Sequence, residues 1–256
     1  MKKLISLCLA VLMLMSVMVA CAPAEEGYTI KSGKLIMSTN ASFPPYEMTT
    51  DDGGFEGIDV EIAEAIAKKL GLTLEIQDMD FDAALLAVQQ GKSDIVMAGV
   101  SVTEKRKMVM DFSNSYATGV QVVIVKDGSD VTMDNLGEKM IGTQRGTTGY
   151  IYASDTPENG GYGEDHVTAY DNGATAVQAL INKQVDCVII DEAPAKEYVK
   201  ANPGLSILEG KWVEEQYAIG MAKGNTELVN AVNKALDELT KDGTIAGIVA
   251  KYIKAD

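Results

Sequence analysis

Apolar segments with strand periodicity alternate with amphipathic helical segments near the start of the chain, and this order restricts the fold more than any other feature. Residues 34–40 (KLIMSTN), 72–79 (LTLEIQDM) and 93–100 (SDIVMAGV) predict strands. Residues 58–70 and 81–91 carry apolar side chains at the spacing of one helical face; Gly71 follows the first segment and Gly91 ends the second. Repeated strand–helix–strand order predicts an α/β fold with an open parallel sheet and right-handed crossovers.

A second block with a similar order of elements follows. Residues 120–126 (VQVVIVK), 185–191 (VDCVIID) and 217–223 (YAIGMAK) predict strands, and residues 174–184 predict an amphipathic helix. The C-terminal stretch, 225–253, is helical in period and contains two helices. The blocks share no usable sequence repeat, so they indicate similar architecture rather than duplication. Ligands of such sheets bind at the carboxyl ends of the strands.

The N-terminus has the pattern of a secretory signal. Two lysines precede an apolar run that ends in Val-Met-Val-Ala-Cys (17–21), which resembles a bacterial lipobox. A transmembrane anchor is the alternative, but a short polar stretch follows instead of a stop-transfer flank. We predict a lipoprotein signal peptide (1–20), lipidation of Cys21 and a tether (21–32). The protein is therefore expected outside the cytoplasm, lipid-anchored to the outer face of the cell membrane or in the periplasm.

The charge balance excludes one class of partner. The chain has 22 Lys and Arg against 37 Asp and Glu, a formal net charge of -15. Loss of the signal peptide removes two lysines and leaves 20 basic residues, so the mature chain has a net charge of -17. A nucleic-acid-binding surface needs the opposite sign, and we expect no nucleic-acid partner.

Residues with reactive side chains are scarce. Cys8 leaves with the signal peptide and Cys21 is lipidated, so Cys187 has no partner for an internal disulfide and is expected to be a buried hydrophobe. The only histidine, His166, lies in the polar, glycine-rich segment 156–171, which predicts a loop. We therefore expect no metal site and no cofactor.

Several motifs in a consistent order resemble those of the extracytoplasmic solute-binding proteins of polar amino-acid ABC importers, which include glutamine-, histidine- and arginine-binding proteins. The resemblance covers nearly all of residues 34–253. The segments that show the resemblance are FPPYE (43–47), 54–71, 80–116, GTTG (146–149), VDCVIIDEAP (185–194) and YAIGMAKGNTEL (217–228). The family implies a two-lobed periplasmic-binding-protein-like fold of type II, in which two open α/β sheets are joined by two hinge strands.

The same resemblance implies a domain organisation and a function. Lobe 1 is expected in 33–119 plus 220–256, lobe 2 in 123–215, and the hinge strands near 119–122 and 216–219. The lobes close on a free L-amino acid, polar or basic, and a monomer delivers it to an ABC permease without catalysis. A sensory protein that presents its closed form to a membrane receptor is the alternative. An enzyme resembling cyclohexadienyl dehydratase is a weaker one, because the expected cleft holds no histidine or lysine.

The carboxylate of an amino acid requires a cation, and Arg106 is the family's carboxylate ligand by position. The planar guanidinium matches a carboxylate with two parallel hydrogen bonds. Thr103 is predicted to cap a short helix that carries Arg106 in its first turn. Lys105 and Lys107 are expected to face solvent.

Other site residues are also implied by the resemblance. Gly99, beside Ala98, is expected to offer its carbonyl to the ligand ammonium, and Ser101 to reach the ammonium or the carboxylate. Thr147 and Thr148 begin a helix in lobe 2, where free amides favour an anion.

Asp191 and two phenylalanines complete the set. Asp191 is expected to pair with the ammonium, although it competes for the role of N-cap of the next helix, which Glu192 could take over. Phe43 and Phe81 match the aromatic pair that sandwiches the ligand side chain in the family.

The side chain of the ligand stays open at this point. Asn40 and Gln144 stand where several relatives carry charged residues, and two neutral amides favour a polar ligand or one reached through water. Glu47 could still attract a guanidinium or an ammonium. Arginine, glutamine and cystine are all compatible with the sequence.

Overall fold

The computed structural model describes residues 27–253. The predicted signal peptide, Cys21 and residues 21–26 of the tether lie outside the described residues. The strands are β1 (Lys34–Thr39), β2 (Ser42–Phe43), β3 (Glu47–Thr49), β4 (Phe55–Glu56), β5 (Thr73–Asp78), β6 (Ile95–Val96), β7 (Met110–Lys126), β8 (Ile141–Gln144), β9 (Val167–Tyr170), β10 (Cys187–Asp191), β11 (Leu205–Ile207) and β12 (Val213–Ala222). The α-helices are α1 (Ile58–Leu70), α2 (Phe81–Gln89), α3 (Glu104–Lys107), α4 (Thr148–Ala153), α5 (Gly173–Ile181), α6 (Glu192–Ala201), α7 (Thr226–Lys241) and α8 (Thr244–Tyr252). Short 3-10 helices cover Met133–Glu138, Pro157–Asn159 and Glu164–His166.

The first half of the main sheet has the predicted parallel order. β1 lies between β5 and β6 and is parallel to both, so the chain returns through α1 and α2. The inner face of α1 is fully buried at Ile62 and Ile66, and the helix ends at Gly71 in the left-handed region at φ 69°. The C-terminal helices α7 and α8 pack against α1. The C-terminal segment therefore packs with the first half of the chain.

Two long antiparallel strands connect the halves of the sheet. β7 has 17 residues and β12 has 10, and they pair from Gln121 opposite Val213 to Met110 opposite Ala222. β7 begins ten residues before the predicted strand 120–126, and β12 begins at Val213 rather than at residue 217. Because β12 also pairs with β6 and β7 with β10, the hydrogen-bonded order β5-β1-β6-β12-β7-β10-β8-β9 is continuous.

The second half of the sheet is formed around β10. β10 is antiparallel to β7 and parallel to β8, which is parallel to β9. β9 lies inside the segment 156–171 that was predicted to be a loop, so that part of the prediction is wrong. Cys187 in β10 is completely buried and free, which confirms its expected role as a small hydrophobe.

This topology brings several strand ends to one place. β1, β8 and β10 end immediately before or at residues that line one cavity between the two halves, namely Asn40, Gln144 and Asp191. Ala98 and Gly99, which follow β6, line the same cavity. A small separate sheet of β2, β3 and β4 adds Phe43, whose register partner is Glu47. None of the helices in residues 27–253 combines the length and apolar character needed to cross a membrane.

Candidate ligand-binding site

The predicted site residues meet around one cavity between the two halves of the sheet. All eleven line it, and Glu47 joins them. The eleven are Asn40, Phe43, Phe81, Ala98, Gly99, Ser101, Arg106, Gln144, Thr147, Thr148 and Asp191. The cavity is narrow, since the centre of a water molecule can occupy only about 20 Å³ of it. That is room for one or two waters.

Arg106 is a buried cation held by backbone carbonyls. Thr103 caps α3 as predicted, because its hydroxyl oxygen accepts from the Arg106 amide at 3.2 Å. The Arg106 Nη1 donates to the Ser101 carbonyl at 2.8 Å, and Nη2 donates to the Gly146 carbonyl at 3.1 Å. The guanidinium carbon lies 5.4 Å from the centroid of the Phe81 ring.

The Arg106 side chain has no counter-ion among residues 27–253, since no carboxylate there lies within 4.0 Å of it. Burial lowers the pKa of Arg106 from its ordinary value, but a guanidinium stays charged in a protein. An uncompensated buried charge is costly, so the cavity favours an anion beside Arg106. Lys105 and Lys107 are exposed, as expected.

Asp191 is a buried acid on the other half of the sheet. It occupies the N-cap position of α6, but its side chain makes no capping hydrogen bond. Its carboxylate instead accepts from the Tyr217 hydroxyl and, at 2.8 Å, from Gln121 Nε2. Burial raises the pKa of Asp191 to about 7, and the nearby carboxylate of Glu215 adds to the rise, while the two hydrogen bonds oppose it.

Glu215 was not predicted as a site residue, but it accepts hydrogen bonds from two residues that line the cavity. One of its oxygens, Oε2, accepts from Thr148 Oγ1 at 2.7 Å, Ser101 Oγ at 3.1 Å and Gln121 Nε2 at 3.2 Å. It therefore joins Ser101 on one side of the cavity to Thr148 on the other. Strand periodicity predicts only its burial, because positions 215 and 217 of β12 are buried between the exposed positions 214 and 216.

The start of α4 forms the opposite wall. Thr147 occupies the N-cap position, where its hydroxyl oxygen accepts from the Tyr150 amide at 3.3 Å, and Thr148 begins the helix as predicted. The preceding Gly146 has φ 72°, a conformation that favours glycine. A Cβ there would also overlap the Asp82 carboxylate, so the two halves are in close contact at this point.

Position 99 requires a glycine, because of its backbone conformation and its close neighbours. Its φ is 55°, and a Cβ would lie 2.8 Å from the Phe43 ring. Its amide donates to Asp59 Oδ2 at 2.9 Å, which anchors the segment from helix α1. Asp59 was not predicted, although it is completely buried.

The two neutral amides of the site contact each other. Gln144 Nε2 donates to Asn40 Oδ1 at 2.9 Å, and Asn40 Nδ2 donates to the Met79 carbonyl at 2.9 Å. Both amide side chains are thereby oriented, and their contact crosses the cavity between β1 and β8.

The fold and the site agree with the result of a comparison with protein families. The model of the bacterial extracellular solute-binding proteins, family 3, matches residues 35–255. The chain belongs to this family. Family members similar to it include the L-cystine-binding protein TcyJ of Escherichia coli strain K12, 30% identical over 91% of this chain and 88% of its own. The arginine-binding extracellular protein ArtP of Bacillus subtilis strain 168 is 32% identical over 93% and 92%.

Solved structures support the predicted fold class. An ancestral arginine-binding protein bound to glutamine matches with a TM-score of 0.81 and 39% identity, over 88% of this chain and 100% of the other. An ancestral arginine-binding protein bound to arginine matches with a TM-score of 0.80 and 40% identity, over 86% of this chain and 98% of the other. The family 3 chain thus has the two-lobed α/β fold that the resemblance implied.

Proposed function

We propose that the protein binds a free L-amino acid between two closing lobes and delivers it to an ABC permease. One observation carries the proposal. Arg106 and Asp191 are both more than nine-tenths buried and line the same cavity, and neither forms an ion pair with any residue in 27–253. A cation and an anion kept apart in one enclosed space match a zwitterion.

The chemistry of each contact follows from this arrangement. The ligand carboxylate would receive two parallel hydrogen bonds from Arg106 and would replace one of its backbone partners. The amides at the start of α4, at Thr147 and Thr148, favour the same negative charge. The ligand ammonium would pair with Asp191 and donate to the Gly99 carbonyl. Phe43 and Phe81 would enclose the ligand side chain.

Closure follows from contacts across the cavity. We assign lobe 1 to 33–119 and 220–256, and lobe 2 to 123–215. The hinge is assigned to 119–122 and 216–219, and these two segments lie within β7 and β12. Besides the contact of Gln144 with Asn40, the Tyr198 hydroxyl donates to the Ser42 carbonyl at 2.9 Å. A cavity that holds one or two waters cannot admit an amino acid, so the lobes must separate before it enters. Ligand then shifts the population toward the closed form.

The transport role and the class of ligand draw support from the relatives. Their names specify cystine and arginine, and related structures contain arginine and glutamine. One further relative in Escherichia coli strain K12 is named ABC transporter arginine-binding protein 1. A polar or basic amino acid is therefore proposed as the ligand, carried by a monomer that Cys21 anchors to the membrane through lipid.

A thermal-shift screen against the free L-amino acids and cystine tests the proposal. At least one polar or basic amino acid should raise Tm in a concentration-dependent way, by roughly RT ln(1 + [L]/Kd) in free energy. Mass spectrometry after prolonged incubation should recover that amino acid unchanged, as binding without catalysis requires. A screen in which no compound raises Tm would contradict the proposed function.

A further inference from the structure

A second cavity lies between the two halves of the sheet, separate from the ligand cavity. It offers about 320 Å³ to the centres of water molecules, against about 20 Å³ in the ligand cavity. Among residues 27–253, Asp191 alone lines both cavities. A volume of this size is typical of sites for small molecules. The proposed function uses the ligand cavity and assigns no role to the second one.

The walls of the second cavity come from distant parts of the chain. Pro45, Tyr46 and Tyr252 line it and belong to the assigned lobe 1. Ala193 and Glu197 of helix α6 line it from lobe 2. Strands β7 and β12, which connect the two halves of the sheet, also contribute to the wall. A movement of one lobe against the other therefore changes the shape of this cavity.

Three tyrosine side chains give the cavity an aromatic surface. The rings of Tyr46 and Tyr217 meet edge to face with their centroids 5.3 Å apart, and Tyr252 lines the same space. The Tyr217 hydroxyl donates to Asp191 and the Tyr252 hydroxyl to Glu61. The Tyr46 hydroxyl has no hydrogen-bond partner within residues 27–253, although Tyr46 is only 4% exposed. A polar group of an occupant can satisfy this buried hydroxyl.

The charges around the second cavity favour a cation. Asp191, Glu192 and Glu197 line it, and Lys196 is the only lysine or arginine among the described residues that does so. Lys196 Nζ lies 3.0 Å from Glu192 Oε1, so its charge is already balanced. Glu197 has only the exposed Lys200 as a partner, at 3.7 Å, and a pair of this kind is weak. Glu197 and Asp191 therefore leave the cavity with a negative charge.

The Tyr46 hydroxyl stays neutral in this environment. Burial, followed by the charges of nearby carboxyl groups that include Asp191, holds the pKa of Tyr46 well above its usual range. The phenol can therefore donate a hydrogen bond and adds no negative charge of its own.

We propose that the second cavity binds a small organic cation, namely an ammonium with apolar substituents and one polar group. The positive charge faces Glu197 and the neighbouring acids. The apolar substituents contact the tyrosine rings, whose faces attract a cation. The polar group forms a hydrogen bond with the Tyr46 hydroxyl.

Occupation of the second cavity also affects amino-acid binding, and this part of the inference rests on the proposed function. The structure combines a narrow ligand cavity with a wide second cavity, so both belong to the closed arrangement. A cation that contacts both lobes stabilises this arrangement, which the amino acid also prefers. By reciprocity, each ligand should raise the affinity of the other by the same factor, about fivefold or more.

Choline and its neutral isostere 3,3-dimethyl-1-butanol test the site. The two compounds share an apolar head and a hydroxyl group, and they differ in charge. Two-dimensional NMR titrations of the protein at constant ionic strength measure both affinities. Choline should bind at least about tenfold more tightly than the alcohol. Saturating choline should raise the affinity for the amino acid that most stabilises the protein in the thermal-shift screen.

Two variants of helix α6 locate the binding. Ala193→Phe places a ring in the cavity and should weaken choline binding at least about tenfold. Ala201→Phe, at an exposed position of the same helix outside the cavity, is its matched control. Glu197→Gln should weaken choline binding about threefold and leave binding of the alcohol unchanged. Glu64→Gln, at an exposed position of α1, controls for the loss of a charge.

The outcomes separate this site from the proposed function. Equal affinity for choline and the alcohol, or wild-type choline binding in Ala193→Phe, would overturn the cation site. Competition between choline and the amino acid would place choline in the ligand cavity and overturn it as well. An amino-acid affinity that choline leaves unchanged would overturn the coupling alone. Choline binding by a protein that binds no amino acid would overturn the proposed function and leave the cation site standing.

Discussion

Gln144 Nε2 donates to Asn40 Oδ1 at 2.9 Å, and this contact links the carboxyl end of β8 to that of β1 across the cavity. Both residues are at most 7% exposed. An interaction of two neutral amides closes the cavity without a charge, so it can exchange readily for contacts with a ligand or with water.

Loss of this contact should open the ligand-free protein. A neutral hydrogen bond contributes about 1 kcal/mol, so Gln144→Ala should shift the ratio of closed to open forms about fivefold toward the open form. Small-angle X-ray scattering should then show a larger radius of gyration than in the wild type. Gln178→Ala, on the exposed face of α5, is the control. An unchanged radius of gyration in Gln144→Ala would contradict the prediction.

Tyr217 leaves no space for a side chain at Gly119. A Cβ at Gly119 would lie 2.4–2.5 Å from the ring and hydroxyl of Tyr217, which is completely buried. Gly119→Ala should therefore displace the Tyr217 hydroxyl from Asp191 and destabilise the protein by about 1–3 kcal/mol.

Thermal denaturation measures this effect, and Tm should fall by about 2–4 °C for each kcal/mol in a chain of this size. Gly137→Ala is the matched control, since its nearest neighbour would be at an ordinary 3.5 Å. The two variants should differ; an equal Tm for both would indicate that β7 and Tyr217 adjust without cost.

Asp191 should make the ligand-free protein less stable as pH rises. Its folded pKa of about 7 lies above its unfolded value, so the folded state binds more protons between about pH 4 and about pH 7. The free energy of unfolding should therefore fall across this interval, by at most about 4 kcal/mol from this group. Asp59 acts in the same direction.

Urea denaturation at a series of pH values measures this slope. Asp191→Asn should show a smaller decrease in unfolding free energy than the wild type between about pH 5 and about pH 8. Asp237→Asn, at an exposed position of α7, should keep the wild-type slope. A wild-type slope in Asp191→Asn would show that its carboxyl group is not responsible.

Local signals were sufficient for much of the candidate site. The Thr103 cap and the burial of Arg106 depend on one turn of helix, and the helix start at Thr148 depends on the residues directly before it. Phe43 and Gly99 come shortly after β1 and β6, two strands that apolar periodicity predicted, although β6 covers only Ile95–Val96 of the predicted 93–100. The contact between Asn40 and Gln144 could not be predicted from the sequence, because this contact depends on how the two halves of the sheet approach each other.

The missed features depend on pairing between distant segments. β7 begins at Met110 because residues 110–119, which are mainly polar, pair with β12, about 100 positions later in the chain. β9 is short and follows a glycine-rich segment, and its strand character comes from pairing with β8. Glu215 belongs to the site because β12 lies beside Ser101 and Thr148, which are distant from it in the sequence.

Titration calorimetry of Arg106→Ala tests the central claim most directly. The ligand is the amino acid that most stabilises the wild type in the thermal-shift screen. Removal of one partner of a buried charge pair costs about 2–5 kcal/mol, so the affinity should fall at least about 30-fold while the circular dichroism spectrum stays that of the wild type. Lys105→Ala removes an exposed charge from the same helix and should bind normally. Wild-type affinity in Arg106→Ala would contradict the assignment of the carboxylate site.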